Sequence, residues 1–168
     1  LYKSKTKTLM QITRTAPPAV NSGPSLSGDG ERMVFLSTAE FSPGENPGRG
    51  MQAVLYESKS GRFKQLTHSP DSAPTPTAIS GLPVSGVSLS RDGTRAIIAS
   101  ILDLVPGKNP DGAAQFFLFD VKTGALDQVT QNTGRAEPGH QHGAPSLSED
   151  ASKIAYVSTA DPDHAARR

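Results

Sequence analysis

The chain has 168 residues, enough for one ordinary domain, and its 17 Lys and Arg, scattered rather than gathered in long runs, stand against 16 Asp and Glu, so no bulk charge recruits nucleic acid or an anionic membrane. It contains no cysteine, which excludes a disulfide framework and a thiolate metal site and fits any redox compartment. No apolar run approaches the roughly 18 residues a spanning helix needs, so no transmembrane segment is expected.

In chain order, residues 1–13 (LYKSKTKTLMQIT) read as two short strands around a turn at Lys5 to Lys7, the second running over 9–13. Residues 14–23, rich in Pro, Asn, Ser and Gly, read as an irregular link. Segment 24–37 (PSLSGDGERMVFLS) predicts an inner strand around Ser25 to Ser27, a Gly-Asp-Gly turn, and a nearly continuous apolar strand over 33–37. Such a run is expected where both faces of a strand are covered. A loop follows at 39–51, then a hairpin over 54–67 (VLYESKSGRFKQLT), whose Gly61 can take the positive φ of a tight turn. Link 68–86 holds four prolines, which cannot donate to a ladder, and reads as loop throughout. Strands are expected again within 87–100 (VSLSRDGTRAIIAS) and 117–130 (FLFDVKTGALDQVT), separated by the loop 101–113. After a link at 131–144 comes 145–158 (PSLSEDASKIAYVS). No stretch sustains a capped 3.6-residue apolar period, so almost no helix is predicted.

These segments are copies of one another. The front half at Val87 recurs from Pro24 and from Pro145, with Asp29, Asp92 and Asp150 in register. The back half at Phe117 recurs from Val54 and at the start of the chain, closing on Thr13, Thr67 and Thr130. Residues 86–130 form the one complete copy, and the intervening loops share a PGxNP core at 43–47 and 106–110. A period of 54 to 63 residues built from short strands and turn residues marks a repeat architecture. Four strands per unit fit a β-propeller blade or a hairpin pair of a sandwich, and only the propeller gives the sequence a reason to repeat at blade length.

The pattern PSLSxDGxxxxFxS, a PGxNP loop, and FLFDxxTGxxxQxT resembles the TolB-type β-propeller repeat, particularly that of large secreted or cell-surface bacterial proteins. The resemblance covers nearly the whole chain, with Thr8 standing where later copies have the turn glycine and Ala151 where they have Gly30 and Gly93. It implies an all-β fold: a propeller segment of about three four-stranded blades in an incomplete ring, with 1–13 ending one blade, 24–67 and 87–130 forming blades, and 145–168 starting the next. It also implies an extracytoplasmic setting, whether periplasmic, secreted or on the cell surface. One fold hosts many activities, so function must be argued from the site.

Strands in a blade alternate in direction, which puts the long links on one face and the tight turns on the other. All four histidines, His68, His140, His142 and His164, fall in long links. A metal-assisted polysaccharide lyase would use such residues, as in the oligogalacturonate lyases that resemble this fold, but loop residues gather on that face in any propeller. His68, Arg135, His140 and His142 are the candidate binding residues of this face, and no catalytic residue is assigned. Asp103, Asn109 and Asp111, echoed by Glu40 and Asn46, with Asp161 and Asp163 in the last copy, are oxygen donors of the kind calcium takes. Asp and Asn beside Gly or Pro equally serve turns. The serines of the inner strands recur in every copy and read as structural, and no GxSxG elbow, phosphate loop or zinc spacing is present.

The expected function is that of a non-enzymatic module binding a protein or glycan, or building an assembly, within a larger secreted or surface protein. No cofactor is expected beyond weak calcium. The alternative is a propeller-fold polysaccharide lyase or hydrolase with a metal-histidine site, and a third reading is the propeller domain of a serine peptidase. The chain opens and closes in mid-blade, so its bare end sheets are expected to be covered by further blades of the same polypeptide, or by a second copy making a six-bladed ring.

Overall fold

The computed structural model describes residues 1–68, 84–133 and 145–157. Twelve strands lie among them and no helix: β1 (Tyr2–Lys3), β2 (Thr8–Leu9), β3 (Asn21–Leu26), β4 (Arg32–Ser37), β5 (Gln52–Glu57), β6 (Arg62–Gln65), β7 (Val84–Leu89), β8 (Arg95–Ser100), β9 (Gln115–Asp120), β10 (Leu126–Gln128), β11 (Ser146–Leu147) and β12 (Ile154–Ala155). They form two complete antiparallel sheets, β3-β4-β5-β6 and β7-β8-β9-β10, and two half-sheets, β1-β2 and β11-β12. The fold is all-β, in successive blade-like sheets that do not close.

Register repeats with the sequence. Met33 faces Tyr56 and Phe35 faces Val54 in the first full sheet; Ala96 faces Phe119 and Ile98 faces Phe117 at the same places in the second. Period-two side chains divide each central strand between two cores. Val34 and Leu36 point one way, into a core shared with Val84, Val87, Ala96 and Ile98 of the next sheet. Phe35, from the other face of β4, packs with Val54, Tyr56 and Ile12, the last following the first half-sheet. Ile97 and Phe116, from the other face of β8 and β9, pack toward Leu147 and Ile154 of the last. The unbroken apolar runs VFL and AIIA therefore serve two interfaces each.

Polar contacts lock the stack at its turns. The Leu89 amide donates to Ser25 Oγ at 3.0 Å, Arg32 Nη1 donates to the Gly93 carbonyl at 2.9 Å, and the Asp92 amide donates to the Glu149 carbonyl at 3.0 Å. Gly93 is needed there on two counts: its φ is +71°, and a Cβ would stand 3.1 Å from Ser27 Cβ.

Each inner turn is tied by one serine and one aspartate. Ser27 Oγ donates to Asp29 Oδ1 at 2.6 Å and accepts from the Arg32 amide at 3.0 Å, while Asp29 Oδ1 also accepts from the Glu31 amide. Ser90 with Asp92 and Ser148 with Asp150 repeat the arrangement. Ala151, in the glycine's place, keeps the left-handed conformation at φ 56°.

Three expectations are corrected. β3 begins at Asn21, inside the stretch read as an irregular link, because the chain passes a bulge between Ser22 and Ser25 and pairs again with β4. β7 likewise begins at Val84, inside the stretch read as loop, with a register shift before Gly86; a bulge breaks the alternation by which a strand is recognised. In the first hairpin the residue in the glycine's place is Lys7, at φ 52°, and Thr8 already belongs to β2, which ends at Leu9 and not at residue 13.

Ile98 is fully buried between the two complete sheets. Ile98→Ala should cost about 2–5 kcal/mol in urea denaturation, and Leu9→Ala, at an 82% exposed position, less than about 0.5. The turn aspartates give the molecule an acid limit. Hydrogen bonds from Ser27 and the Glu31 amide lower the pKa of Asp29, those from Ser90 and Thr94 that of Asp92, and those from Ser152 and Ser148 hold Asp150 at about 2. A carboxylate with a folded pKa below its unfolded value, roughly 3.9, contributes stability that is complete above that value and is lost as the pH falls toward the folded one. Melting followed by circular dichroism should therefore show stability falling between about pH 4 and pH 2, with a shallower fall in Asp150→Asn.

Candidate functional site: the long-loop face

The loops leaving β4 and β8 and the segments leaving β6 and β10 emerge at the same ends of their sheets, and together they form the long-loop face. A buried asparagine anchors each loop. Asn109, 2% exposed, donates its Nδ2 group to the carbonyls of Ile101 at 3.0 Å, Leu102 at 3.3 Å and Ala113 at 2.8 Å, tying both ends of the loop to its middle. Asn46 does the same to Thr38, Ala39 and Gly50. The asparagine oxygen in turn accepts from a buried glutamine on the following strand, Gln115 at 3.3 Å and Gln52 at 3.4 Å.

That glutamine links the loop to the outer strand. Gln115 Oε1 accepts from Thr130 Oγ1 at 2.8 Å, and Thr130 Oγ1 accepts from the Phe116 amide at 2.9 Å. Gln52, Thr67 and the Ala53 amide repeat the chain of bonds at 2.7 and 3.0 Å. Thr67 and Thr130, which close the back halves of the two complete sheets, thus replace a missing ladder partner at the end of the outer strand.

Asp103 caps the same loop. Its carboxylate accepts from the amides of Gly107 at 2.7 Å, Lys108 at 3.1 Å and Asn109 at 2.8 Å, and these bonds, Asn109's first, hold its pKa below the usual carboxylate range. Glu40 caps the first loop through the Gly44 amide. A cation at Asp103 would have to share oxygens that three backbone amides already occupy.

Among the described residues two clefts open here. One, of about 350 Å³, lies between the complete sheets and is lined by His68, Lys64, Asp103, Leu104 and Phe119, with Lys64 Nζ standing 5.3 Å from the centre of the Phe119 ring. The other, of about 660 Å³, lies beside the second loop and is lined by Lys108, Asp111, Asp127, Gln128 and Asn132 among others. His68 and Asp103 come together in the first cleft, whereas Asp111 lines the second and Asn109 is buried beneath the loop. Among the described residues no three His, Cys, Asp or Glu side chains gather into a group able to hold a metal ion. Arg135, His140, His142, His164, Asp161 and Asp163 lie outside the described residues.

Sequence reasoning passed over Gln52 and Gln115. The available signal was spacing: in both copies the glutamine lies at the same distance after the PGxNP asparagine and before the closing threonine.

The network makes a specific demand on Asn109. Asn109→Ala leaves buried carbonyls without a donor, at about 1–3 kcal/mol each, and should lower stability by roughly 3 kcal/mol. Asn109→Asp should be at least as damaging at pH 7, because it sets a buried carboxylate against those carbonyls, and should recover part of the loss at pH 4. Chemical denaturation at the two pH values checks both.

No protein-family model matches the sequence, and no curated protein matches it by sequence. Solved structures do. TolB from Acinetobacter baumannii is 19% identical, with a TM-score of 0.56, over 93% of this chain and 30% of that one. An oligogalacturonate lyase in complex with manganese is 16% identical, with a TM-score of 0.51, over 92% of this chain and 39% of that one. The β-propeller domain of the Trilobed protease from Pyrococcus furiosus is 13% identical, with a TM-score of 0.51, over 83% of this chain and 34% of that one. The chain spans well under half the length of each. At these identities the likeness is one of fold, and the fold is that of a TolB-like β-propeller, of which this chain forms an open segment.

Proposed function

We propose that the chain is a non-enzymatic binding module, a propeller segment within a larger extracytoplasmic protein that presents its long-loop face to a protein or glycan partner. The observation that carries this reading is the use to which the polar side chains are put. Asp103 and Asn109, and the serines and aspartates of the inner turns, are committed to backbone groups and hold the loops in place. A binding surface gains from such rigidity, since little ordering is left to be done when the partner arrives. The extracytoplasmic setting rests on the resemblance to TolB-type repeats. TolB, a lyase and proteases share the fold, and it favours none of them as a guide to activity.

Lys108 and His68 stand exposed on the long-loop face, Lys59 and Lys122 on the tight-turn face. In a binding screen of polysaccharides and extracytoplasmic proteins, Lys108→Ala and His68→Ala should weaken capture, while Lys59→Ala and Lys122→Ala leave it unchanged. Reproducible turnover of a polysaccharide or peptide by the intact protein, abolished by His142→Ala, would overturn the reading in favour of an enzyme.

A further inference from the structure

The sequence holds three Asp-Gly pairs, at 29–30, 92–93 and 111–112, and no Asn-Gly pair. All three occupy the same place in a four-residue turn. The Gly30 amide donates to the Ser27 carbonyl at 2.9 Å, the Gly93 amide to the Ser90 carbonyl at 2.9 Å, and the Gly112 amide to the Asn109 carbonyl at 3.2 Å. The glycines share a left-handed backbone, at φ 71°, 71° and 68°. The turns are therefore a matched set, alike in main-chain path and in the pair of residues that ends them.

What differs is the residue that opens the turn. Ser27 Oγ donates to Asp29 Oδ1, and Ser90 Oγ to Asp92 Oδ1, each at 2.6 Å; the amides of Glu31 and Thr94 donate to the same two oxygens at 2.9 Å. Both serines are buried. In the third turn Asn109 stands in the serine's place, and its Nδ2 group is committed to the carbonyls of Ile101, Leu102 and Ala113. Asp111 Oδ1 accepts from the Ala113 amide at 3.4 Å, a longer bond than its counterparts.

We propose that Asp111 is a site of spontaneous isoaspartate formation, and that their serines protect Asp29 and Asp92 from the same reaction. The Gly112 nitrogen attacks Asp111 Cγ, its proton and the carboxyl hydroxyl leave as water, and a five-membered succinimide closes. Water then opens the ring. Opening at the main-chain carbonyl leaves the chain running through Cβ and Cγ, and opening at the side-chain carbonyl restores aspartate. Glycine favours the attack because it has no Cβ to crowd the nitrogen, whereas Ala151 places one after Asp150. At Asp29 and Asp92 the serine and amide bonds favour the ionised carboxylate, which lacks the leaving hydroxyl, and fix its orientation. Isoaspartate at 111 adds a methylene to the main chain between Asn109 and the Ala113 carbonyl that Asn109 holds at 2.8 Å, and so unties the end of the second long loop.

The test is to incubate the folded full-length chain in oxygen-18 water at about pH 6 and to map its peptides by mass spectrometry, with electron-transfer fragmentation to locate isoaspartate. Each ring opening leaves one heavy oxygen behind. The Asp111 peptide should gain it about tenfold or more faster than the Asp29 and Asp92 peptides. In urea, where the turns are lost, the three rates should converge. Ser90→Ala, verified as folded by circular dichroism, should speed labelling at Asp92 about threefold or more. Equal rates at the three sites of the folded chain, no labelling at Asp111 while the unfolded chain is labelled, a difference that persists in urea, or an unchanged Asp92 rate in folded Ser90→Ala would overturn the proposal. The isoaspartyl form, separated by ion exchange, should melt below the unmodified chain, and equal melting would overturn the untying of the loop.

Discussion

The long loops depend on one buried amide apiece. Asn46 and Asn109 each answer three loop carbonyls with a single Nδ2 group, and each passes its oxygen to a glutamine that in turn engages the threonine ending the outer strand. Buried polar groups are costly when unpaired and specific when paired, so a closed chain of them fixes one loop conformation where an apolar plug would permit several. The tight turns are held by a smaller version of the same device, one serine and one aspartate answering the amides of the turn. Both ends of every complete sheet are consequently determined by side-chain-to-backbone bonds, while the middle is determined by apolar packing.

That packing is two-sided, and it propagates. Because Val34 and Phe35 face opposite ways, the first complete sheet joins the second through one face and the first half-sheet's surroundings through the other. Each sheet thus needs a neighbour on both sides. At the outermost positions the apolar side chains Tyr2, at 60%, and Leu9, at 82%, stand in water, as does Val157 at the opposite end. Register repetition makes any further sheet of this type a geometric continuation.

Much of this was legible in the sequence, because internal copies test one another. A serine two residues before an aspartate is unremarkable once; at Ser27, Ser90 and Ser148 it marks a turn, and the structure has one at each place. Where bulges interrupt alternation, at the start of β3 and of β7, the strand signal vanished although the pairing did not. Asp103 exposes a different limit. A carboxylate in a loop of Gly and Pro suits a cation and suits a row of backbone amides equally well, and the sequence does not reveal that the amides of Gly107, Lys108 and Asn109 stand where Asp103 accepts from them. Gln52 and Gln115 went unnoticed because a lone amide in a strand has no pattern of its own; its meaning lies in its distance from an asparagine and a threonine.

This network makes the loops after β4 and β8 a rigid surface. Native-state hydrogen exchange of the Ala53 and Phe116 amides, which donate to the threonine hydroxyls and not to a neighbouring strand, tests it most directly. The account predicts protection equal to that of amides in β4 and β8, reached only through global unfolding. Exchange of these two amides at the rate of exposed loop amides, with β4 and β8 still protected, would contradict it.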